Sequence, residues 1–198
     1  MMRYLVLRLA IRQLFWMKIR LYIHLRPQIL MATVRLDQKS RAIVRLISDS
    51  YVNALAKYFG TGPSNIDVAR EQHKAYVDAL KSNGVEVTVL DADHNHPDCV
   101  FVEDQAVVID EHVLLPVPGH ESRRGEQPPI AEFLSNHLKG HKICKMEPPA
   151  MMDGGDILRL GDLFFVGRST RTNDAGISEL KDLLDPVSYT HLTLPTTR

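Results

Sequence analysis

The stretch that decides the fold is PDCVFVEDQAVVIDEHVLLPVPGHESRRGEQPPIAEFLSNHLKG (97–140), echoed by MMDGGDILRLGDLFFVGRSTRTNDAGISELKDLL (151–184). In the first, 99–110 and 113–117 read as two strands joined by a short acidic turn. Pro129 suits the first turn of a helix running to about Leu138, with Gly140 beyond its end. In the second, 157–160 and 163–166 flank Gly161-Asp162, a two-residue hairpin signal. A helix over 172–184 follows, with Ile177, Leu180, Leu183 and Leu184 as its apolar residues. Each stretch places an Asp before its hairpin and an Arg before its helix. Asp104 precedes Arg123 by 19 residues, Asp153 precedes Arg171 by 18, and the two arginines are 48 apart. A period near 50 marks one supersecondary unit repeated, although any α/β chain also alternates strands and helices.

Working outward, 64–83 reads as an amphipathic helix. Ser64-x-x-Asp67 resembles a capping box. Ile66, Ala69, His73, Val77 and Leu80 share one face, and Gly84 is the stop. A β-branched strand over 85–90 follows, and Ile143–Met146 supplies another short strand. The class is α/β, in the order strand, hairpin, helix, strand, hairpin, helix.

The ends differ from the middle. Residues 1–30 carry six basic residues and no acid, so residues 31–198 hold 18 basic against 24 acidic. The formal net charge of zero is thus an average over a basic leader and an acidic body. Such a balance argues against nucleic-acid binding over the whole surface. Arg or Lys interrupts the leader every few residues, so no run approaches the ~18–20 apolar residues of a membrane span. An organellar transit-like segment, a basic surface helix and translated upstream sequence before Met31 all fit it. The last is favoured because globular patterning begins only after Met31. Residues 187–198 (VSYTHLTLPTTR) also read as foreign, an artefactual tail behind a body of 31–186. The two cysteines, Cys99 and Cys144, make no disulfide framework.

Charged motifs carry the chemistry. Asp98, Glu103 and Asp104 bracket an apolar run. Burying carboxylates costs several kcal/mol each unless cations or donors meet them. They either serve a cationic ligand or sit in water at a bend. In Asp153-Gly154-Gly155-Asp156 the glycines permit positive φ and close backbone approach, or simply form a turn. Ser122-Arg123 and Ser169-Thr170-Arg171 put an Arg fork beside a hydroxyl ahead of a helix, suited to a carboxylate or to a solvated turn. His94-x-His96 has no second ligand cluster, so no metal site is expected. Together the motifs fit a ligand of both signs, shaped like an arginine-type amino acid.

Six strings in this order resemble the dimethylarginine dimethylaminohydrolase family, within the guanidino-modifying enzymes that include arginine deiminase. They are RLISDSYVNAL (45–55), DVAREQH (67–73), PDCVFVED (97–104), SRRG (122–125), DGGD (153–156) and RTN (171–173). The resemblance implies a five-fold α/β propeller, the pentein fold, of ββαβ units, of which about the first three are present. It implies that Leu55 lines the substrate entrance and Asp98 binds the α-amino group. Glu103 and Asp104 would flank the guanidinium, and Arg123 and Arg171 would take the α-carboxylate. Asp153 would orient a catalytic histidine. The implied reaction converts asymmetric dimethylarginine or monomethylarginine to citrulline and an amine by cysteine catalysis, removing inhibitors of nitric oxide synthesis. It implies no cofactor, a small-molecule partner, no nucleic acid or membrane, and a cytoplasmic location, with a mitochondrial one only if the leader is genuine. Arginine deiminase-like chemistry on free arginine and a non-catalytic arginine-binding module are the alternatives. The family's histidine follows this last helix and its nucleophilic cysteine lies near the C-terminus. His191-Leu192 only imitates the histidine motif, so the expectation is a truncated, inactive chain.

Overall fold

Asn65 starts the first helix of the protein by turning its side chain back on the chain. Its Oδ1 accepts hydrogen bonds from the amides of Asp67 and Val68, two donors that no helical carbonyl can reach. The structure is a computed structural model that describes residues 40–55, 65–160, 163–184 and 190–195. The leader over 1–30, Ser64 and the Gly161-Asp162 turn lie outside the described residues. Helix α1 spans Ile66–Ser82 and buries His73, Val77 and Leu80. It ends where expected: Gly84 sits at φ +80°, the left-handed region where a side chain is strained.

Strand β1 (Arg41–Arg45) pairs in parallel with β2 (Glu86–Leu90) across α1. The sequence reading passed over β1, although Ala42-Ile43-Val44 carries a strand signal. Next come β3 (Val107–Ile109) and β4 (His112–Leu115), antiparallel, then helix α2 (Gln127–His137) and strand β5 (Lys142–Lys145), parallel to β4. The third group repeats the second. Strands β6 (Ile157–Leu160) and β7 (Leu163–Arg168) are antiparallel, α3 (Asp174–Leu184) follows, and β8 (Thr190–Pro195) pairs in parallel with β7. Both three-stranded sheets run in sequence order. The described residues therefore hold two ββαβ units and one βαβ unit in an α/β fold.

One expectation fails here. The strand expected over 99–110 is broken into turns at 97–100, a 3-10 turn over Val102–Asp104 and the short β3. A continuous strand would turn one of the adjacent Glu103 and Asp104 toward each face, and both faces are core. Residues 190–195, within the stretch read as a foreign tail, pair with β7 as β8, and the rest of that stretch lies outside the described residues.

Side-chain alternation joins the units. On β1, Ala42 and Val44 pack with Val77 and Leu80 of α1, while Ile43 enters the core beneath α2. On β4, Val113 and Leu115 pack with Ile130 and Leu134 of α2, while Leu114 enters the core of Phe164, Val166, Leu180 and Leu184 beneath α3. Each of these strands is buried on both faces, which explains its unbroken apolar run. Among the described residues no helix is long and apolar enough to cross a membrane.

Leu114, 3% exposed, is the bridge between the second and third units. Leu114→Ala should cost about 2–5 kcal/mol, the range for truncating a buried leucine. Leu158→Ala, on a residue 45% exposed, should stay within about 0.5 kcal/mol. Urea titrations of the two variants check the pair.

Candidate active site

The turns that replace the expected strand are held by successive backbone bonds: Cys99 N to His96 O, Phe101 N to Asp98 O, and Asp104 N to Phe101 O. This winding sends Val102 into the core beneath α2 and frees the acids to leave it. Asp98 receives the amide of Leu55 on both carboxylate oxygens, at 3.1 and 3.2 Å, so the two residues assigned to the substrate's entrance and amino group do meet. Glu103 is buried, and its charge, after burial itself, helps push the Tyr76 phenol of α1 up to about 12.

Arg123 lies on the 3-10 turn Glu121–Glu126 that leads into α2. It is 4% exposed and surrounded by acceptors. Its Nη1 donates to Asp104 Oδ2 at 2.5 Å. Nε and Nη2 donate to Glu126, the shortest bond being 2.8 Å. Nη2 also reaches the carbonyls of Asp98 and Phe101, both at 3.3 Å. The sequence reading assigned Arg123 to a ligand carboxylate and gave Glu126 no role. The spacing Arg123-x-x-Glu126 was the available signal, since residues three apart are neighbours on a helical turn.

The third unit repeats the device more loosely. Asp153 Oδ1 accepts the amide of Gly119 at 2.9 Å, and its own amide donates to Thr172 Oγ1 at 3.2 Å. Arg171 Nη1 stands 3.5 Å from Asp153 Oδ2 and has no hydrogen-bond partner among the described residues. The loop carrying Arg171 is shaped by Asp156, whose Oδ2 accepts Ser169 Oγ at 2.8 Å and Thr172 Oγ1 at 2.6 Å. Ser169 Oγ in turn accepts the amides of Arg171 and Thr172. Asp156 thus orders a loop instead of facing a ligand beside Asp153.

Gly154 and Gly155 bring the two units together. The amide of Gly155 donates to Asp104 Oδ1 at 2.8 Å. A Cβ on Gly155 would lie 2.3 Å from that same oxygen, and one on Gly154 would lie 2.1 Å from Glu103 O. Neither glycine has positive φ, so close approach is their sole requirement and the expected conformational one drops out. Gly119 is equally constrained, since a Cβ there would lie 2.3 Å from the Arg171 backbone.

Leu55, Asp98, Arg123 and Asp104 thus form one bonded chain. Gly155 links it to the loop that bears Asp153 and Arg171, and Glu103 lies beside it in sequence. His94 and His96 serve the loop: His94 Nδ1 accepts the amide of Asp49, and His96 Nδ1 lies 2.7 Å from Asp93 Oδ2. Among the described residues no group of His, Cys, Asp or Glu could hold a metal ion. Cys99 is buried and burial pushes its thiol up, the opposite of an activated nucleophile. Cys144 is a strand residue on β5 packed against the core beneath α3.

Burial, and next the charge of Asp104, push the Asp153 carboxyl up to about 6 from an ordinary 3.8. The folded state therefore holds this proton more tightly than the unfolded chain does. Its stabilising effect is complete below about pH 4 and is lost as pH rises through about 6. Asp153→Asn should gain stability relative to the parent across that window, by about 1–3 kcal/mol once above it. Urea midpoints from pH 4 to pH 8 measure the difference, and a pH-independent gap would contradict the assignment.

The model of the family described as N,N dimethylarginine dimethylhydrolase, eukaryotic, matches residues 50–198. The dimethylarginine dimethylaminohydrolase of Streptomyces coelicolor is 34% identical over 158 residues, covering 80% of this chain and 60% of that protein. The enzyme of the same name from Pseudomonas aeruginosa is 39% identical over 117 residues, 59% of this chain and 46% of that one. A solved structure of a Pseudomonas aeruginosa variant complexed with citrulline superposes with a TM-score of 0.74 at 33% identity, over 79% of this chain and 60% of that one. This chain spans about half to three-fifths of the length of these relatives. With a family model matched over three quarters of its length, the chain belongs to the dimethylarginine dimethylaminohydrolase family.

Proposed function

We propose that the protein hydrolyses asymmetric dimethylarginine and monomethylarginine to citrulline, releasing dimethylamine or methylamine, and that the 198-residue chain supplies the substrate grip. The observation that carries this reading is the joining of Asp98, Asp104, Arg123, Asp153 and Arg171 into one network of both signs. A methylated arginine has a matching distribution of charge: an α-ammonium and a guanidinium for the acids, an α-carboxylate for the arginines.

In this reading Leu55 and Asp98 hold the α-amino end. Arg171, whose Nη1 has no hydrogen-bond partner among the described residues, takes the α-carboxylate together with Arg123. Glu103 and Asp104 flank the guanidinium and hold it planar. A cysteine thiolate then attacks the guanidinium carbon, and the amine leaves with a proton supplied by a histidine that Asp153 orients. Water adds to the thiouronium carbon, the C–S bond breaks, and citrulline departs as the thiolate is restored. Neither Cys99 nor Cys144 suits that attack, for the reasons of burial and packing given above. Removal of methylated arginines would place the protein in the control of nitric oxide synthesis, in the cytoplasm. The two ββαβ units and the βαβ unit would be successive blades of a five-fold α/β propeller.

Isothermal titration of the purified chain with dimethylarginine should show binding. A citrulline assay of the same preparation should show none above a protein-free control. Arg171→Gln should weaken binding about 10- to 100-fold, as the loss of a charged hydrogen bond of about 1.5–3 kcal/mol implies. Citrulline release by the chain would refute the assignment of its cysteines, and absence of binding would refute the grip.

A further inference from the structure

The Arg123 guanidinium is held on one edge by Glu126 and at its Nη1 corner by Asp104. Glu126 is 1% exposed and grips the Nε–Nη2 edge of the fork, with bonds of 3.2 and 3.1 Å to Nε and 2.8 Å to Nη2. Gln105 fixes Glu126 in turn, its Nε2 donating to Oε2 at 2.7 Å. The remaining corner, Nη1, carries two N–H bonds. One goes to Asp104 Oδ2, and no acceptor for the other is present among the described residues.

We propose that Glu126 is a positioning residue for the site: it clamps the far edge of Arg123 so that the free Nη1 donor faces the anionic end of the ligand. The inference rests on the arginine-type ligand proposed above. Without the clamp Arg123 would pivot about its long side chain and spread its charge over Asp104 and the carbonyls of Asp98 and Phe101. The guanidinium end of the ligand would suffer less, because Asp104 keeps the amide of Gly155 whatever Glu126 does.

A ligand pair separates this role from a merely structural one. Binding of dimethylarginine and of dimethylagmatine, which lacks the α-carboxylate, is measured by calorimetry on the chain and on Glu126→Gln. The variant should bind dimethylarginine about tenfold more weakly, the scale of one charged hydrogen bond, and dimethylagmatine within about twofold of the parent. Glu126→Asp, which keeps the charge, should recover part of the difference. Equal weakening of both ligands, or of neither, overturns the proposal. If Glu126→Gln shows no cooperative melt, Arg123→Lys replaces it, since a lysine keeps the charge and lacks the fork. The same split is expected there, and an equal loss again overturns the proposal. No binding of either ligand by the unaltered chain overturns the underlying reading and this inference with it.

Discussion

The burial of the Arg123 guanidinium is the constraint on which the rest of the site depends. A charge taken from water costs several kcal/mol even after relaxation, and only good geometry with further hydrogen bonds compensates for it. Arg123 meets that condition by drawing three segments to one point: the turn at Asp98–Phe101, the 3-10 turn that ends at Asp104, and its own 3-10 turn, which carries Glu126. Removing a partner from such a cluster typically costs 3–5 kcal/mol. The expected strand over 99–110 therefore has a specific rival. Straightening it would carry Asp104 and the Asp98 and Phe101 carbonyls away from the one cation that they share.

The third unit uses the same parts and stops short of closing them. Asp153 corresponds to Asp104 and Arg171 to Arg123, each a fixed distance along its unit. Arg123 has a second carboxylate in Glu126, whereas among the described residues Arg171 has only Asp153, at 3.5 Å. Its loop is ordered through neutral hydroxyls, Ser169 and Thr172, that answer to Asp156. One repeat commits most donors of its cation to internal order, and the other leaves the Nη1 of its cation without a hydrogen bond among the described residues.

What could be read in advance divides along the range of the forces involved. Helices α1, α2 and α3 follow from local periodicity and caps, and their ends fall within two residues of the expected positions. The repeat was legible because Asp and Arg recur at nearly constant offset. Strand β1, Arg-Ala-Ile-Val-Arg, offers three apolar residues between two arginines, and its apolar core becomes plain once its partner β2 is known. The turns over 97–104 could not be derived locally, because they are selected by Arg123, some twenty residues away. Glu126 stayed hidden for the same reason, as a carboxylate at a helix start is more often solvated. Gly154 and Gly155 stand out in the sequence, but the clash that excludes a side chain comes from Glu103 and Asp104, about fifty positions earlier.

The charges of the site also indicate what would complete it. Four carboxylates, of Asp98, Asp104, Glu126 and Asp153, share one neighbourhood with the guanidiniums of Arg123 and Arg171. Asp153 registers the imbalance, its carboxyl being pushed up to about 6 by burial and then by Asp104. Such an excess of negative charge in a poorly solvated place favours a ligand with more cationic than anionic groups. A purely anionic ligand would find Arg171 and meet repulsion everywhere else, and a neutral one would leave the acids unmatched. An amino acid with a second cationic group at the far end of its side chain satisfies both arginines and acids at once. The electrostatics of the described residues thus agree with the ligand proposed above.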